Sequence, residues 1–269
     1  QLTPVARNYA HPEMLSAMIE AAGRIYPETI YSVHLDHGTP EHCRDAIRSG
    51  HYDSVMIDAS HENFHTNIAI TSGIVEQAHS AGITVEAELG VLSGVEDDKS
   101  IDNSRANYTD PGEAVAFVNE TGCDSLAIAV GTSHGAYKFS GKGGLQFNIL
   151  EEISNRLPGF PLVLHGASAV PMEEVERINQ AGGSLSAKAK GVDNVSLMKA
   201  IKMGVCKINI ATDTRLIWAR VHREFFKNSP ELFDLVIPGT EYMKAYEDFM
   251  IGKFELLDAP GKAETLKVK

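Results

Sequence analysis

The chain has 269 residues, is 43% hydrophobic and carries a formal net charge of −12. This length and apolar content suffice for one large α/β domain. The negative charge argues against nucleic acid or a membrane surface as a partner, because both are polyanionic. Charges interrupt the apolar runs before about 18 residues, and no signal-peptide pattern opens the chain. We therefore expect a soluble, cytoplasmic protein.

Short apolar runs typical of strands alternate along the chain with segments whose apolar residues recur at helical spacing. An extended start is expected before the first helix. Residues 90–108 are expected to form a long polar loop, which in a compact domain is usually functional. The predicted strands are 30–37, 53–58, 83–89, 125–130, 161–164 and 205–210, and the predicted helices are 11–24, 41–49, 67–81, 111–121, 150–156, 172–180 and 196–203, with further helices to the end.

Repeated strand-then-helix units with polar residues at the strand ends are typical of a parallel α/β barrel. A TIM (β/α)8 barrel needs two more strands than the six found here, so either the first two strands are missing from the sequence or the sheet is open. No linker-like stretch divides the chain, which predicts a single domain over residues 1–269.

Three cysteines, Cys43, Cys123 and Cys206, are far apart and show no CxxC spacing. An odd number of widely spaced cysteines indicates neither a disulfide framework nor a thiolate metal site. We expect all three to be reduced thiols in the core.

Three histidines, His37, His134 and His165, each follow a different apolar strand. Each alone is more often structural, but a barrel brings the carboxyl ends of its strands to one face. Three imidazoles plus one open position are the ligands of a catalytic zinc ion. The shared placement of the three therefore favours a metal site.

Carboxylates stand beside these histidines. Asp36 directly precedes His37 and is a candidate acid/base, although a helix-capping role is the alternative for Asp36 taken alone. Glu88 and Asp58 also stand at strand ends. We expect them to orient the histidines or to hold the metal in an alternative position.

Glycines after two of the histidines leave room for a bound anion. Together with nearby polar residues they predict a phosphate site, while ordinary turn chemistry between strand and helix is the alternative. The candidate residues are Gly135, Lys138, Gly166, Ser168, Asn209 and Thr212.

A competing motif lies in the same half of the chain. His61, Glu62 and His65 match the HExxH pattern of zinc proteases, in which two histidines one helical turn apart bind the metal and the glutamate acts as base. The pattern requires a continuous helix. Here it follows a predicted strand almost directly, which argues against a protease.

Six segments together resemble class II, zinc-dependent fructose-bisphosphate aldolases, and they cover nearly the whole chain in the family's order. The resemblance implies a TIM barrel that lacks its first two strands here, and thus a domain incomplete at its N-terminus. The matching segments are His34-Leu35-Asp36-His37-Gly38, residues 54–61 (Ser-Val-Met-Ile-Asp-Ala-Ser-His), residues 85–90 (Val-Glu-Ala-Glu-Leu-Gly), residues 131–139 (Gly-Thr-Ser-His-Gly-Ala-Tyr-Lys-Phe), residues 164–168 (Leu-His-Gly-Ala-Ser) and Cys206-Lys207-Ile208-Asn209.

The resemblance implies a reversible cleavage of fructose 1,6-bisphosphate into two triose phosphates, as in glycolysis and gluconeogenesis. His37, His134 and His165 would bind Zn²⁺, with Glu88 nearby, and the ion would act as a Lewis acid on the ketose carbonyl. Asp36 would take the proton from the C4 hydroxyl.

Further roles follow from the same resemblance. Glu96 would exchange a proton on the dihydroxyacetone phosphate carbon, and Arg215 would reach the second phosphate across a dimer interface. The six residues of the predicted phosphate site would hold the first phosphate. The family also implies a homodimer or homotetramer and a monovalent cation, Na⁺ or K⁺, near the phosphate.

The sugar is less well determined than the reaction. Fructose-bisphosphate aldolases generally carry aspartate where this chain has Ala211, whereas tagatose-bisphosphate aldolases tend to carry alanine. Residues 135–139 and 182–191 resemble the fructose group, so we expect fructose 1,6-bisphosphate, with tagatose 1,6-bisphosphate as the alternative. A sugar-phosphate binding protein without activity is a further alternative, but it would not need Asp36 beside three convergent histidines.

Overall fold

The computed structural model describes residues 1–91, 93–96, 99–101, 107–134, 144–186 and 190–263, with the backbone alone for the short strands within 93–101 and 133–134. Six parallel strands form the main sheet of these residues, in the order β1-β2-β3-β6-β8-β9. A smaller sheet has the order β5-β4-β7. The strands are β1 (His34–Gly38), β2 (Ser54–Ile57), β3 (Thr84–Leu89), β4 (Ser93–Glu96), β5 (Lys99–Ile101), β6 (Ser125–Ile128), β7 (Ser133–His134), β8 (Leu162–Leu164) and β9 (Val205–Ile208).

Helices connect the strands of the main sheet and complete the predicted α/β fold. Several begin where the sequence supplies a cap: Asp110 accepts from the backbone N–H groups of Gly112 and Glu113, ahead of Pro111. The helices are α1 (Pro4–Ala10), α2 (Pro12–Ile25), α3 (Pro40–Ser49), α4 (Phe64–Ser80), α5 (Pro111–Thr121), α6 (Phe147–Arg156), α7 (Met172–Gln180), α8 (Asn194–Lys202), α9 (Thr212–Asn228) and α10 (Val236–Leu256).

Two secondary-structure predictions are wrong. The start of the chain is helical, because the Thr3 hydroxyl caps α1 and Pro4 occupies a position where a helix loses no backbone hydrogen bond. The expected loop at 90–108 contains the antiparallel pair β4 and β5. Apolar and polar residues do not alternate in this segment, so the sequence carries no period-two signal for the pairing of these strands.

The main sheet curls so that side chains at its two edge strands come within hydrogen-bond distance. Six strands side by side would put β1 and β9 about 24 Å apart in a flat sheet, at about 4.8 Å per strand. Yet the Asn209 side chain, directly after β9, donates a 3.1 Å hydrogen bond to Asp36 on β1. Leu2 adds one parallel bridge to the outer side of β1. The described strands therefore curve as the strands of a barrel do.

Apolar side chains fill both faces of the curved sheet. The larger cluster packs strand residues such as Leu35, Val85 and Leu126 against helix residues such as Phe117 and Leu150, all fully buried. A smaller cluster of Met56, Ala127 and Val163 lies apart from it. Two-sided burial is typical of parallel strands covered by helices. Among the described residues, no helix is long and apolar enough to cross a membrane.

The cysteines are free, and two of the three lie in the core. Burial raises the pKa of Cys43 to about 12 and that of Cys123 to about 11, so both remain neutral thiols. The prediction of a core position is wrong for Cys206, which is exposed. It lies on β9, an edge strand of the described sheet.

The turn after β8 is packed so closely that one glycine is required beside it. A side chain at Gly191 would place its Cβ 2.0 Å from the Ser168 carbonyl oxygen and 2.5 Å from the Ala169 carbonyl carbon. The Gly191 N–H in turn donates to the Ala169 carbonyl. By contrast, a Cβ at Gly73 in α4 would meet no atom within 4 Å.

We predict opposite effects for alanine at these two glycines. Gly191→Ala should lower the free energy of unfolding by about 2 kcal/mol or more, because the backbone of the turn must shift. Gly73→Ala should raise it by about 0.5–1 kcal/mol, since alanine has the higher helix propensity. Urea unfolding of both variants measures the difference, and equal stabilities would contradict this account of the turn.

Candidate active site

The end of β1 directs two consecutive side chains into the same interior. The pairing of β1 with β2 shifts register between Leu35 and Gly38, and His37 has a positive φ of 49°. Such a bulge interrupts the alternation of a strand. Asp36 and His37 therefore both lie buried at the carboxyl end of the strand.

His37 and His165 face each other across this end of the sheet. The distance between His37 Nε2 and His165 Nδ1 is 2.9 Å, and the rings are nearly perpendicular, at 82°. Two imidazole nitrogens this close repel each other unless a proton or a cation lies between or beside them. The pair is thus suited to hold a metal ion.

The other ring nitrogen of each histidine lies next to at least one carboxylate. Asp58 Oδ2 is 3.3 Å from His37 Nδ1, and Glu88 Oε2 is 3.6 Å from the same atom. On the other side, Glu86 Oε1 is 2.7 Å from His165 Nε2. Histidines that bind metals commonly donate their second ring N–H to a carboxylate, which fixes the tautomer and the orientation of the ring.

Glu86 was missed as a site residue by the sequence analysis, and so were its neighbours Lys207 and His34. Lys207 Nζ lies 2.8 Å from Glu86 Oε2, and His34 Nε2 lies 3.7 Å from the same oxygen. The available signal was the period of two on β3, which puts Glu86 and Glu88 on one face. Their charge is unusual on a buried strand.

Opposing effects set the pKa values in this network. Burial would raise the pKa of Glu86, but the hydrogen bond to His165 and the positive charge of Lys207 hold it well below its usual value. Burial, together with the charge of Lys207, lowers the pKa of His34 to about 4. At neutral pH the carboxylate is therefore ionised and the His34 imidazole is neutral.

The residues present fit a divalent metal. Four buried carboxylates, those of Asp36, Asp58, Glu86 and Glu88, lie around His37 and His165, and a cation would offset this charge. Potential ligand atoms of Asp36, His37 and His165 lie within 4.8 Å of one another, and so do those of His37, Asp58 and Glu88. The second group matches the expected alternative metal position.

Asn209 orients Asp36. Its Nδ2 donates to Asp36 Oδ1 at 3.1 Å and lies 3.2 Å from His165 Nδ1. Its Oδ1 accepts from Gln1 Nε2 at 3.0 Å, which fixes the direction of the amide. The carboxylate of Asp36 is thus held beside the facing imidazoles.

Next to Asn209, two backbone segments form a polar corner. Ser168 is buried, and its hydroxyl accepts from the N–H groups of Ala211 and Thr212 at the start of α9. Gly166 has a positive φ of 60°. N–H groups at a helix N-terminus favour a bound anion. The structure thus brings Gly166, Ser168, Asn209 and Thr212 to one region, as the sequence predicts.

Other predicted residues are not tested in the same way. His134 ends β7 and Glu96 ends β4, and the two strands pair, but the side chains are outside the described part. Gly135 and Lys138 lie outside the described residues. Arg215 is exposed on the first turn of α9.

The protease motif is not built. Helix α4 begins only at Phe64 with Asn63 as its cap, so His61 and Glu62 lie in the preceding turn. The His61 and Glu62 side chains are 61% and 42% exposed. Because the helix is missing, the two histidines cannot share one face as a zinc protease requires.

Comparison with known proteins identifies the family. The family model described as "Fructose-bisphosphate aldolase class-II" matches residues 1–262. The chain belongs to the class II fructose-bisphosphate aldolase family. It is 44% identical over 236 residues to a fructose-bisphosphate aldolase of Thermus caldophilus, an alignment that covers 86% of this chain and 75% of that one.

Two further comparisons agree with this family. A fructose-bisphosphate aldolase of Giardia intestinalis is 41% identical over 269 residues, which covers 98% of this chain and 80% of its own. The crystal structure of the YdjI aldolase of Escherichia coli K12 superposes with a TM-score of 0.71 at 28% identity, covering 97% of this chain and 81% of that one. The predicted barrel class, the aldehyde-lyase class and the choice of fructose-bisphosphate aldolase are confirmed, and the tagatose alternative is not favoured.

We predict that Glu86→Gln weakens metal binding. The neutral amide would no longer stabilise the His165 N–H as a carboxylate does, and Lys207 would lose its buried partner. Loss of such an outer partner commonly lowers metal affinity by about 10- to 100-fold. Competition with a chromogenic chelator measures the affinity.

The matched control is Glu62→Gln, in the exposed turn before α4. It should leave metal affinity unchanged, because Glu62 has no part in the site. Equal affinities in both variants and the unaltered protein would show that Glu86 does not orient His165.

Proposed function

We propose that the chain catalyses the reversible, zinc-dependent aldol cleavage of fructose 1,6-bisphosphate to dihydroxyacetone phosphate and glyceraldehyde 3-phosphate, a reaction of glycolysis and gluconeogenesis. The observation that carries the proposal is the placement of Asp36, oriented by Asn209, directly beside the facing imidazoles of His37 and His165. An acid/base and a metal site would thereby lie together at the carboxyl ends of the strands.

His37, His165 and, by resemblance, His134 would hold the zinc ion, with Glu88 and Asp58 beside His37. Zinc in this position would supply Lewis-acid chemistry at the ketose carbonyl. The three carboxylates at the outer ring nitrogens keep His37 and His165 in the tautomers that direct a lone pair inward. Asp36 also belongs to a possible metal group with His37 and His165, and its substitution separates the two roles.

Asp36 would take the proton from the C4 hydroxyl as the C3–C4 bond breaks, and return it in the reverse reaction. The hydrogen bond from Asn209 holds the carboxylate in position to accept that proton. Glu96 would exchange the proton at the dihydroxyacetone phosphate carbon. This role rests on the resemblance, together with the pairing of β4 to the strand that carries His134.

The first phosphate would bind at the polar corner formed by Gly166, Ser168, Asn209 and Thr212. The support is the N-terminus of α9, whose N–H groups and dipole favour an anion, beside the positive φ of Gly166. Gly135 and Lys138 would complete this site, and a monovalent cation, Na⁺ or K⁺, would assist there. Arg215 would reach the second phosphate from a neighbouring subunit.

A homodimer or homotetramer is proposed for the same reason, since the role of Arg215 needs a second copy of the chain. Exposed apolar residues at the start of α10 support it: Phe233, Leu235 and Val236 are 91%, 83% and 73% exposed. We also propose a single domain, which the continuous main core supports, and a cytoplasmic location, which the free cysteines support.

Removal of the metal tests the reaction. Dialysis against a chelator should abolish cleavage of fructose 1,6-bisphosphate, and added Zn²⁺ should restore it. The tagatose isomer, assayed in parallel, should show the lower kcat/KM. Cleavage that persists without metal would contradict the mechanism. Binding of the sugar bisphosphate without turnover in zinc would instead indicate a binding protein.

Asp36→Ala tests the acid/base. The variant should lower kcat by about 10² or more, the usual scale for a positioned proton-transfer group, while the zinc content stays near one per site because the imidazoles remain. Metal analysis and steady-state kinetics measure the two quantities, with Asp248→Ala on the exposed side of α10 as control. Loss of zinc with near-normal turnover per bound metal would mean that Asp36 is a ligand.

A further inference from the structure

A buried carboxylate joins the two segments of the proposed phosphate site. Asp213, the second residue of α9, is 1% exposed. Its two oxygens accept from the N–H groups of Ala169 and Val170 at 2.9 and 2.8 Å. In the opposite direction, the Thr212 N–H donates to Ser168 Oγ at 3.1 Å. These bonds fix the turn after β8 relative to the first turn of α9.

The turn needs this constraint. Val170 has a positive φ of 49°, a conformation that is a genuine outlier for a β-branched side chain. A strained backbone of this kind persists only when surrounding contacts hold it in that conformation. The carboxylate of Asp213 supplies such a contact, because it accepts from the Val170 N–H. Val170 lies two residues after Ser168.

A lysine on the last helix offsets the negative charge of Asp213. Lys253 Nζ, on α10, lies 3.6 Å from Asp213 Oδ2, and the Lys253 side chain is only 12% exposed. The same nitrogen is 5.3 Å from the centre of the Phe249 ring. The packing of α10 therefore holds the Lys253 ammonium group beside Asp213. A buried carboxylate left without its cation is strongly destabilised.

We propose that Asp213 and Lys253 are positioning residues for the first phosphate of the substrate, and that Lys253 makes this affinity depend on α10. The inference rests on the phosphate site of the proposed function. Without Lys253, the Asp213 carboxylate would loosen from the turn that carries Ser168. It would also stand as an uncompensated negative charge beside the position of a phosphate dianion, which it repels.

The two substrates of the condensation reaction allow a sharp test, because only dihydroxyacetone phosphate uses this phosphate site. In zinc-loaded enzyme, Lys253→Met should raise the KM for dihydroxyacetone phosphate by about tenfold, or about 1.4 kcal/mol. The KM for glyceraldehyde 3-phosphate and kcat should change by less than about threefold. Lys253→Arg should restore the first KM to within about twofold, because it keeps the charge.

Two controls separate positioning from general damage. Lys244→Met removes an exposed lysine from the same helix and should leave both KM values unchanged. In an Asp213→Asn background, Lys253→Met should have little further effect, since the charge that it offsets is gone; such coupling is what a double-mutant cycle detects.

The outcomes distinguish this inference from the proposed function. If Lys253→Met changes both KM values equally, lowers kcat alone, or acts independently of Asp213, the positioning role is wrong. Ser168→Ala removes a residue of the site itself and should raise the KM for dihydroxyacetone phosphate. If Ser168→Ala raises that KM and Lys253→Met does not, only this inference fails. If neither does, the phosphate site is wrong as well.

Discussion

The buried carboxylate of Glu86 is the constraint on which the site depends. It lies on β3, yet it bonds His165 after β8 and Lys207 on β9. These strands are separated from β3 in the sheet order, so the contacts exist only because the sheet curls. A carboxylate this deeply buried would be very unfavourable without such partners. The curvature of the sheet and the orientation of His165 are therefore maintained by one set of charges.

The same arrangement divides the mouth of the sheet into two halves with different chemistry. On one side, carboxylates direct the ring nitrogens of His37 and His165 toward each other, which creates a place for a cation. On the other side lies the start of α9, where we propose that the first phosphate binds. Asn209 lies between the halves and contacts both Asp36 and His165. A bisphosphate with a reactive carbonyl needs both environments within one molecule's length.

The contacts that position these groups come from segments distant in the chain. His37 and His165 are 128 residues apart, and Asp36 and Asn209 are 173 residues apart. The turn at Ser168 depends on Gly191, on Asp213 and, through Asp213, on Lys253 near the end of α10. The geometry of this region is thus a property of the curved sheet and its outer helices together.

The sequence by itself determined the alternation of strands and helices, several helix starts, and the residue types at the strand ends. These features are local: periodicity, caps and turn residues act over a few positions. That is why the sequence predicts Asp36, His37, His165 and Ser168 as site residues, and why its strand before the HExxH match argues against a protease.

Only the tertiary structure decided which of these groups touch. The bulge at His37 decided that Asp36 and His37 face the same side, since a regular strand would have separated them. Curling of the sheet brought Lys207 and His34 to Glu86, and docking of α10 brought Lys253 to Asp213. Such contacts depend on the register and curvature of distant strands, for which neighbouring residues in the sequence carry no signal.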